Sequence, residues 1–225
     1  MVIPVQIFRA CLVKWLLSVI AISVFGLGAS IAQTELETPM TRAELTAAMQ
    51  EGGLVLFMRH ERTEVPSRSD DYNQPTNCQV QRNLSIAGAA GSQETGIVLR
   101  AAESDISRII TSPMCRAAET ARFMFGTDYE IDMRLMHHDP NGERNMDVAI
   151  AEAKALLAEL APVEAGSNIM LIGHGGTVRW ISGLSLSEGG IAVLRLSDDG
   201  AVTTLGSFRG SDLASLARRN LAASE

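Results

Sequence analysis

The sequence predicts an α/β domain, a three-layer α/β/α sandwich with a largely parallel sheet. Two observations lead to this fold class. Short apolar runs, which are typical of buried parallel strands, alternate along the chain with longer segments in which apolar residues recur at helical spacing. Three of the apolar runs also end close to charged or titratable residues. Strands that alternate with helices form parallel sheets covered by helices, and ligands bind such sheets at the carboxyl ends of the strands.

Residues 1–32 are expected to be a secretory signal peptide, separate from the fold. Arg9 and Lys14 precede an uncharged apolar stretch that finishes with the small residues Ser30 and Ala32. Positive charge, an apolar region and a small-residue cleavage site occur in this order in secretory signals. An uncleaved membrane anchor is the alternative, because the stretch approaches the roughly 20 residues that a spanning helix needs. We expect an exported protein, periplasmic or secreted, with one domain over residues 33–225.

The charge and the cysteines restrict the classes of partner and the redox setting. The chain has 19 basic and 26 acidic residues, which argues against nucleic acid as the main partner. Contact with a membrane is expected only if the N-terminal segment stays uncleaved. Beyond that segment the cysteines are Cys78 and Cys115, a pair that an exported protein can join as a disulfide, and the sequence leaves the pairing open.

Local signals predict where the helices begin. Thr41 and Glu44 have the spacing of a capping box, and the Gly-Gly pair at 52–53 should end the helix that they start. Ser85 is placed to cap a helix that runs to about residue 102 and offers three apolar side chains to the core: Ile86, Val98 and Leu99. The clearest amphipathic pattern predicts a helix over 146–160.

Strands are predicted where the apolar runs are short. Besides a brief strand at 129–131 and an edge hairpin of 191–196 with 201–208, the three buried strands are 54–58, 106–111 and 168–172. Polar composition predicts loops at 61–79 and 134–145. The remaining predicted elements are helices, one ending at residue 125, one beginning near residue 174 and one over 212–220.

Four cationic or titratable residues follow the three buried strands. Arg59 and His60 end the first strand, Arg116 lies in the first turn of the helix after the second, and His174 follows the third. Because parallel strands deliver such residues to one edge of the sheet, we expect these four side chains to converge. Arginines present paired donors that match phosphate oxygens, and the start of a helix adds backbone N–H groups. The pattern predicts a site for a dianionic group, most naturally phosphate.

Four motifs resemble those of the histidine phosphatase, or phosphoglycerate mutase-like, superfamily. In chain order they are Met-Arg-His at 58–60, Leu-Ser-Ile-Ala-Gly at 84–88, Thr-Ser-Pro-Met-Cys-Arg-Ala-Ala-Glu-Thr-Ala at 111–121 and Ile-Gly-His-Gly-Gly at 172–176. The resemblance covers residues 53–183, with the motifs in the order of the family. It implies a phosphoglycerate mutase-like fold for the single domain.

The resemblance also implies roles for the four residues. His60 would be the nucleophile that accepts a phosphoryl group, while Arg59, Arg116 and His174 would hold the phosphate oxygens. Water would then release phosphate, with no metal and no other cofactor. The chemistry is consistent, because phosphoryl transfer needs positioning and charge neutralisation, and a neutral imidazole nitrogen can attack in line.

The chain departs from the family pattern beside the nucleophile and at the proton donor. Glu61 stands where the family usually has glycine, and we expect its carboxylate to point away from the pocket or to pair with Arg62, because it would otherwise repel phosphate. The usual acid of the family follows the strand near residue 131. Our candidate for that acid is Asp139, and the alternatives are Glu61, His137 and Glu143.

Residues 77–85, Asn-Cys-Gln-Val-Gln-Arg-Asn-Leu-Ser, resemble a segment of exported members of the superfamily. This resemblance implies that Cys78 is bonded to Cys115 and that Arg82 contacts the substrate.

The expected function is therefore that of an exported phosphatase acting on phosphomonoesters. Its substrate would be a small phosphorylated molecule or an envelope phosphosugar. A phosphate-binding protein without turnover is an alternative, motivated by Glu61 and by the unassigned acid. A phosphomutase is a further alternative, which export disfavours because free sugar phosphates are chiefly intracellular.

Overall fold

A six-stranded sheet forms the centre of the computed structural model, which describes residues 39–64, 70–136 and 146–213. The described residues all belong to one compact unit, residues 34–225, and the predicted signal segment lies outside them. The helices are α1 Arg42–Glu51, α2 Ile86–Ala101, α3 Cys115–Phe125, α4 Met146–Leu160 and α5 Gly175–Ser182. The strands are β1 Val55–Arg59, β2 Ile106–Thr111, β3 Glu130–Ile131, β4 Asn168–Gly173, β5 Gly190–Leu196 and β6 Val202–Arg209.

The sheet is mixed, with the parallel part on one side. Its strand order is β3-β2-β4-β1-β5-β6. The first four strands in this order pair in parallel, whereas β5 pairs with β1 and β6 in antiparallel fashion. This arrangement confirms the predicted fold class, a largely parallel sheet with an antiparallel hairpin at one edge.

Helices cover both faces of the sheet, and alternate residues of β1 show how. Leu56 and Met58 belong to an apolar cluster with side chains of α1, α2 and α3. Val55 and Phe57 belong to a second cluster with side chains of α4 and α5. Because successive side chains of a strand point to opposite faces, a strand covered on both faces is apolar throughout, which is the sequence pattern of β1.

Side-chain caps start the two helices that were predicted to have them. The Thr41 hydroxyl accepts the Glu44 N–H, and the Glu44 carboxylate accepts the Thr41 N–H at 2.7 Å. The Ser85 hydroxyl accepts the Gly88 N–H at 3.0 Å. In the same way as the capping box at α1, this bond satisfies a backbone donor that the first turn of a helix leaves free.

One of the three α2 residues that were predicted to be in the core does not reach it. Ile86 is 92% exposed, so the expectation that it packs inside is wrong, whereas Val98 and Leu99 are buried as predicted. The buried face of α2 includes Gly88, and two residues along a helix correspond to a rotation of about 200°. Ile86 therefore points away from the sheet.

The other differences concern short segments. A short 3-10 helix, Met133–Leu135, overlaps the start of the predicted loop at 134–145. Residues 137–145 of that loop lie outside the described part of the chain. Helical backbone begins at Gly210, slightly before the predicted final helix, and is described to Leu213. Across the described ranges, no helix combines the length and apolar character needed to cross a bilayer.

Candidate active site

The register of two central strands places the histidines side by side. Arg59 of β1 is paired with Gly173 of β4, and His60 and His174 come next on the two parallel strands. The His60 N–H donates to the Gly173 carbonyl at 2.9 Å, and the two imidazole rings lie 5.4 Å apart between centroids. Since β2 pairs with the other side of β4, the helix that carries Arg116 begins next to them. The structure thus brings together residues from three distant parts of the sequence.

Hydrogen bonds determine which nitrogen of His60 is protonated. Nδ1 lies 2.8 Å from the carbonyl oxygen of Glu61, which can only accept, so Nδ1 carries the proton. Nε2 then has the lone pair, and it accepts the Nε–H of Arg116 at 3.2 Å. Both contacts require the same neutral tautomer, in which Nε2 is the nucleophilic atom.

Burial and positive charge keep His60 neutral. The residue is 2% exposed. Desolvation, together with the charge of Arg116, lowers the pKa of His60 to about 3, although its hydrogen bond to the Glu61 carbonyl acts in the opposite direction. At neutral pH the ring is therefore unprotonated and able to attack an electrophile.

We expect the His60 ring to stay neutral between about pH 5 and pH 8, whereas an unperturbed histidine titrates near 6.5 in that range. The pKa is lowered, so protonation is displaced to more acid solution. Nitrogen-15 NMR of the imidazoles across this range should show a proton on Nδ1 of His60 and none on Nε2. A His60 signal that titrates near its ordinary pKa would contradict this assignment.

Arg116 connects the two histidines. It lies in the first turn of α3 and is 2% exposed. Besides the bond from Nε to His60, its Nη2 lies 3.5 Å from Nδ1 of His174. Burial lowers the pKa of Arg116, and the carboxylate of Asp70 acts in the opposite direction. A guanidinium remains charged in proteins, so Arg116 places a buried positive charge between the two rings.

His174 is held from both sides. It is 3% exposed and precedes α5 directly. Its Nε2 lies 2.8 Å from the hydroxyl of Ser112, which comes just after β2, and its other ring nitrogen faces Arg116. The ring is therefore fixed by residues that follow a neighbouring strand.

Arg59 has a buried donor that the described residues do not use. Nη1 donates to the Leu186 carbonyl at 2.9 Å, and Nη2 lies 3.7 Å from Oε1 of Glu188. Nε is buried and has no hydrogen-bond partner among the described residues. The side chain packs on α5, where a Cβ at Gly175 would come within 3.2 Å of the guanidinium. Glycine at 175 thus leaves room for Arg59.

Glu61 turns away from the two histidines. Its Oε2 accepts the Arg62 N–H at 3.0 Å, and the carboxylate packs against Gly91 of α2 and against Gly189, where a Cβ would overlap Oε1. The side chain is buried, with Arg62 Nε at 3.8 Å from Oε2. These contacts agree with both expectations for this residue and argue against Glu61 as the acid.

We expect Glu61→Gln to change kcat/KM for a phosphomonoester by less than about threefold, which corresponds to less than 1 kcal/mol of transition-state free energy. An amide has the same shape and still accepts the Arg62 N–H, and the carboxylate does not face the four site residues. Steady-state kinetics test this. A KM that falls tenfold in the variant would show instead that the carboxylate repels the substrate.

Of the other predicted site residues, the structure describes Arg82 but not the candidate acid or two of its alternatives. Asp139, the candidate acid, and its alternatives His137 and Glu143 lie outside the described residues. Arg82 is half-buried, and its charge lowers the pKa of both His60 and Arg116, so its guanidinium lies near the site.

A disulfide joins Cys78 to Cys115, with their Cα atoms 5.6 Å apart. Cys78 begins the 3-10 helix Cys78–Val80, and Cys115 is the first residue of α3, next to Arg116. The bond therefore ties the loop after β1 to the helix that carries the central arginine.

Three residues of the site were not predicted from sequence: Asp70, Ser112 and Glu188. Each acts on a predicted residue, namely Arg116, His174 and Arg59 respectively. The sequence predicted a polar loop around Asp70 and the end of a strand just before Ser112. No spacing rule distinguishes these residues from other polar residues nearby, because their partners are 46, 62 and 129 positions away in the numbering.

Taken together, these groups have the charges and donors that suit a tetrahedral dianion. The lone pair on His60 faces the guanidinium of Arg116, and the imidazole of His174 lies 5.4 Å away between ring centroids. The charge of Arg59 also acts on the His60 ring, and charge-assisted bonds are strong where water is largely excluded. In the described part of the chain, no group of three or more His, Cys, Asp and Glu side chains is arranged to hold a metal ion.

Comparison with known proteins identifies the fold. No family model matches the sequence, and no curated protein matches it. The protein histidine phosphatase SixA in complex with tungstate superposes with a TM-score of 0.51 at 22% identity, over 71% of this chain and 99% of SixA. This chain has the histidine phosphatase fold. The phosphoglycerate mutase-like architecture that the four motifs implied is thereby confirmed.

Two further structures with the histidine phosphatase fold are similar to the same extent. The α-ribazole phosphatase from Shigella flexneri has a TM-score of 0.51 at 13% identity, over 67% of this chain and 94% of its own. A mycobacterial glucosyl-3-phosphoglycerate phosphatase in complex with inorganic phosphate has a TM-score of 0.51 at 15% identity, over 71% of this chain and 99% of its own. At these identities the likeness concerns the fold, and function has to be argued from the site.

Proposed function

We propose that this protein is a phosphatase that hydrolyses phosphomonoesters through a phosphohistidine on His60. The observation that carries the proposal is the tautomer of His60. Its Nδ1–H is bound to the Glu61 carbonyl, and its Nε2 lone pair faces Arg116. The three similar structures named above are those of phosphatases, which supports the reaction class.

The proposed reaction begins when a phosphate ester displaces the bond between Arg116 and His60. A phosphate oxygen carries negative charge and is a stronger acceptor for a guanidinium than a neutral imidazole is. Arg116 then bonds the phosphate, which leaves the Nε2 lone pair free. The buried Nε of Arg59 and the ring of His174 supply further contacts to the phosphate oxygens.

In the transfer step, a bond forms between Nε2 and phosphorus while the bond from phosphorus to the leaving oxygen breaks. The ring becomes positively charged, and the Glu61 carbonyl stabilises it through the Nδ1–H. We propose Asp139 as the acid that protonates the leaving oxygen. Water then attacks phosphorus and returns a proton to the Asp139 carboxylate, the bond to Nε2 breaks, and phosphate departs.

Trapping the intermediate tests the proposal. The protein is mixed with a labelled aryl phosphate and quenched in base, in which phosphohistidine is stable. We expect label that is lost in acid and that maps to His60 by mass spectrometry. Binding of phosphate or vanadate without hydrolysis or labelling, across a panel of phosphoesters, would favour a phosphate-binding protein without turnover.

We further propose that the protein acts after export, on a small phosphorylated molecule or an envelope phosphosugar. The signal-like N-terminal segment and the disulfide support this location, because disulfides persist mainly in oxidising compartments. N-terminal sequencing of the protein from an expressing bacterium is expected to begin at Gln33. A full-length chain found in the cytoplasm with Cys78 and Cys115 as free thiols would contradict export.

A further inference from the structure

Asp70 is a buried carboxylate in contact with the central arginine of the site. Its side chain is 8% exposed, and Oδ1 lies 3.3 Å from Nη1 of Arg116. Nη1 makes no hydrogen bond with the described residues, so the contact is an ion pair. A buried carboxylate is costly to desolvate, and this one is retained where the positive charge of Arg116 offsets the cost.

Besides Arg116, two neutral donors lie at the carboxylate of Asp70. The backbone N–H of Arg82 donates to Oδ1 at 2.7 Å, and the hydroxyl of Tyr72 lies 3.4 Å from Oδ2. The segment that carries all three residues is tied to α3 by the disulfide between Cys78 and Cys115. Asp70 is thus a fixed point against which the guanidinium can be oriented.

The three nitrogens of Arg116 are divided between two sides. Nε contacts His60 and Nη2 faces His174, so the edge formed by these two nitrogens points toward the proposed phosphate position. Nη1, the remaining nitrogen, faces Asp70 on the other side. Because a guanidinium is planar, a charge placed at Nη1 restricts rotation of the edge that faces the histidines.

We propose that Asp70 is a positioning residue, which orients the Nε–Nη2 edge of Arg116 toward an oxyanion bound between His60 and His174. The catalytic part of this inference rests on the proposed function, whereas its effect on oxyanion binding does not. Because Asp70 contacts Nη1 and not the Nε–Nη2 edge, its proposed role differs from that of the leaving-group acid, which has to contact the substrate.

Asp70→Asn tests the inference, because the amide keeps the shape and can still accept the Arg82 N–H but loses the charge. We expect kcat/KM to fall by about 10- to 100-fold, mostly through kcat, since misplacement of a catalytic group by about 1 Å has effects of this size. Vanadate, which resembles the transition state, should lose more affinity than phosphate in calorimetric titrations. The matched control is Asp71→Asn, because among the described residues the Asp71 carboxylate bonds to the turn residues Asn73 and Gln74.

A double-mutant cycle separates positioning from a structural role. If Asp70 acts through Arg116, adding Asp70→Asn to Arg116→Ala should change vanadate affinity and kcat/KM by less than about twofold. Arg116→Lys serves the same purpose if the alanine variant does not fold, because lysine lacks the two-nitrogen edge. The inference would be overturned if Asp70→Asn lowered vanadate affinity and kcat/KM equally in the wild type and in Arg116→Ala. It would also be overturned if the kinetic effect of Asp70→Asn were no larger than that of Asp71→Asn.

The same titrations distinguish failure of the inference from failure of the proposed function. A wild-type protein that hydrolyses no ester but binds vanadate, with affinity that depends on Asp70 through Arg116, would overturn the phosphatase and support the positioning role. Active wild-type protein whose kcat and vanadate affinity are unchanged by Asp70→Asn would overturn only the positioning role.

Discussion

Replacement of His60 by alanine is expected to lower kcat/KM for phosphomonoesters by about 10⁴-fold or more and to abolish the labelled intermediate. The reason is that Nε2 of His60 is the atom that would bond to phosphorus, whereas the neighbouring ring of His174 is held by Ser112 and Arg116. Steady-state kinetics and base-quenched labelling measure the two effects. Circular dichroism should show that the variant is folded, because we expect the change to affect the chemical step much more than the stability of the fold.

His174→Gln provides the comparison that separates a nucleophile from a binding residue. His174 contacts Ser112 and Arg116 but is assigned no covalent role. The variant should therefore react slowly and still become labelled on His60. Label that survives in His60→Ala and disappears in His174→Gln would exchange the two assignments.

Removal of the disulfide by Cys78→Ser and Cys115→Ser together is expected to lower the free energy of unfolding by about 4 kcal/mol. This value follows from the loop entropy for a sequence separation of 37 residues. Activity should also fall, because Cys115 precedes Arg116 directly and the bonded loop carries Asp70 and Arg82. Urea denaturation and kinetics on the same preparations test both effects.

Reduction of the wild-type protein is the control for this variant. Dithiothreitol should lower the stability and activity of the wild type toward those of the double serine variant, and it should leave that variant unchanged. An unfolding midpoint that is the same for wild type, reduced wild type and variant would show that the bond contributes nothing to stability in solution.

The amino-acid sequence was sufficient for the architecture, because the fold-determining signals are local. The capping box at Thr41, the Ser85 cap and the uniformly apolar run before Arg59 each operate within a few residues, and each has the structure that it predicts. The convergence of His60, Arg116 and His174 was also predictable, since it follows from a topological rule for parallel sheets. Ile86 was misplaced because its apolar character alone does not state which face of α2 is buried.

By itself, then, the sequence determined the fold class and the meeting of His60, Arg116 and His174 at one edge of the sheet. Only the tertiary structure decided that Nε2 of His60 bears the lone pair, that Glu61 packs between two glycines, and that Asp70 lies behind Arg116. The physical reason is that the first group of properties depends on periodicity and strand direction. The second depends on hydrogen-bond and ion-pair partners, some of them brought together from distant parts of the chain, within a few ångströms in a site where burial makes such contacts strong.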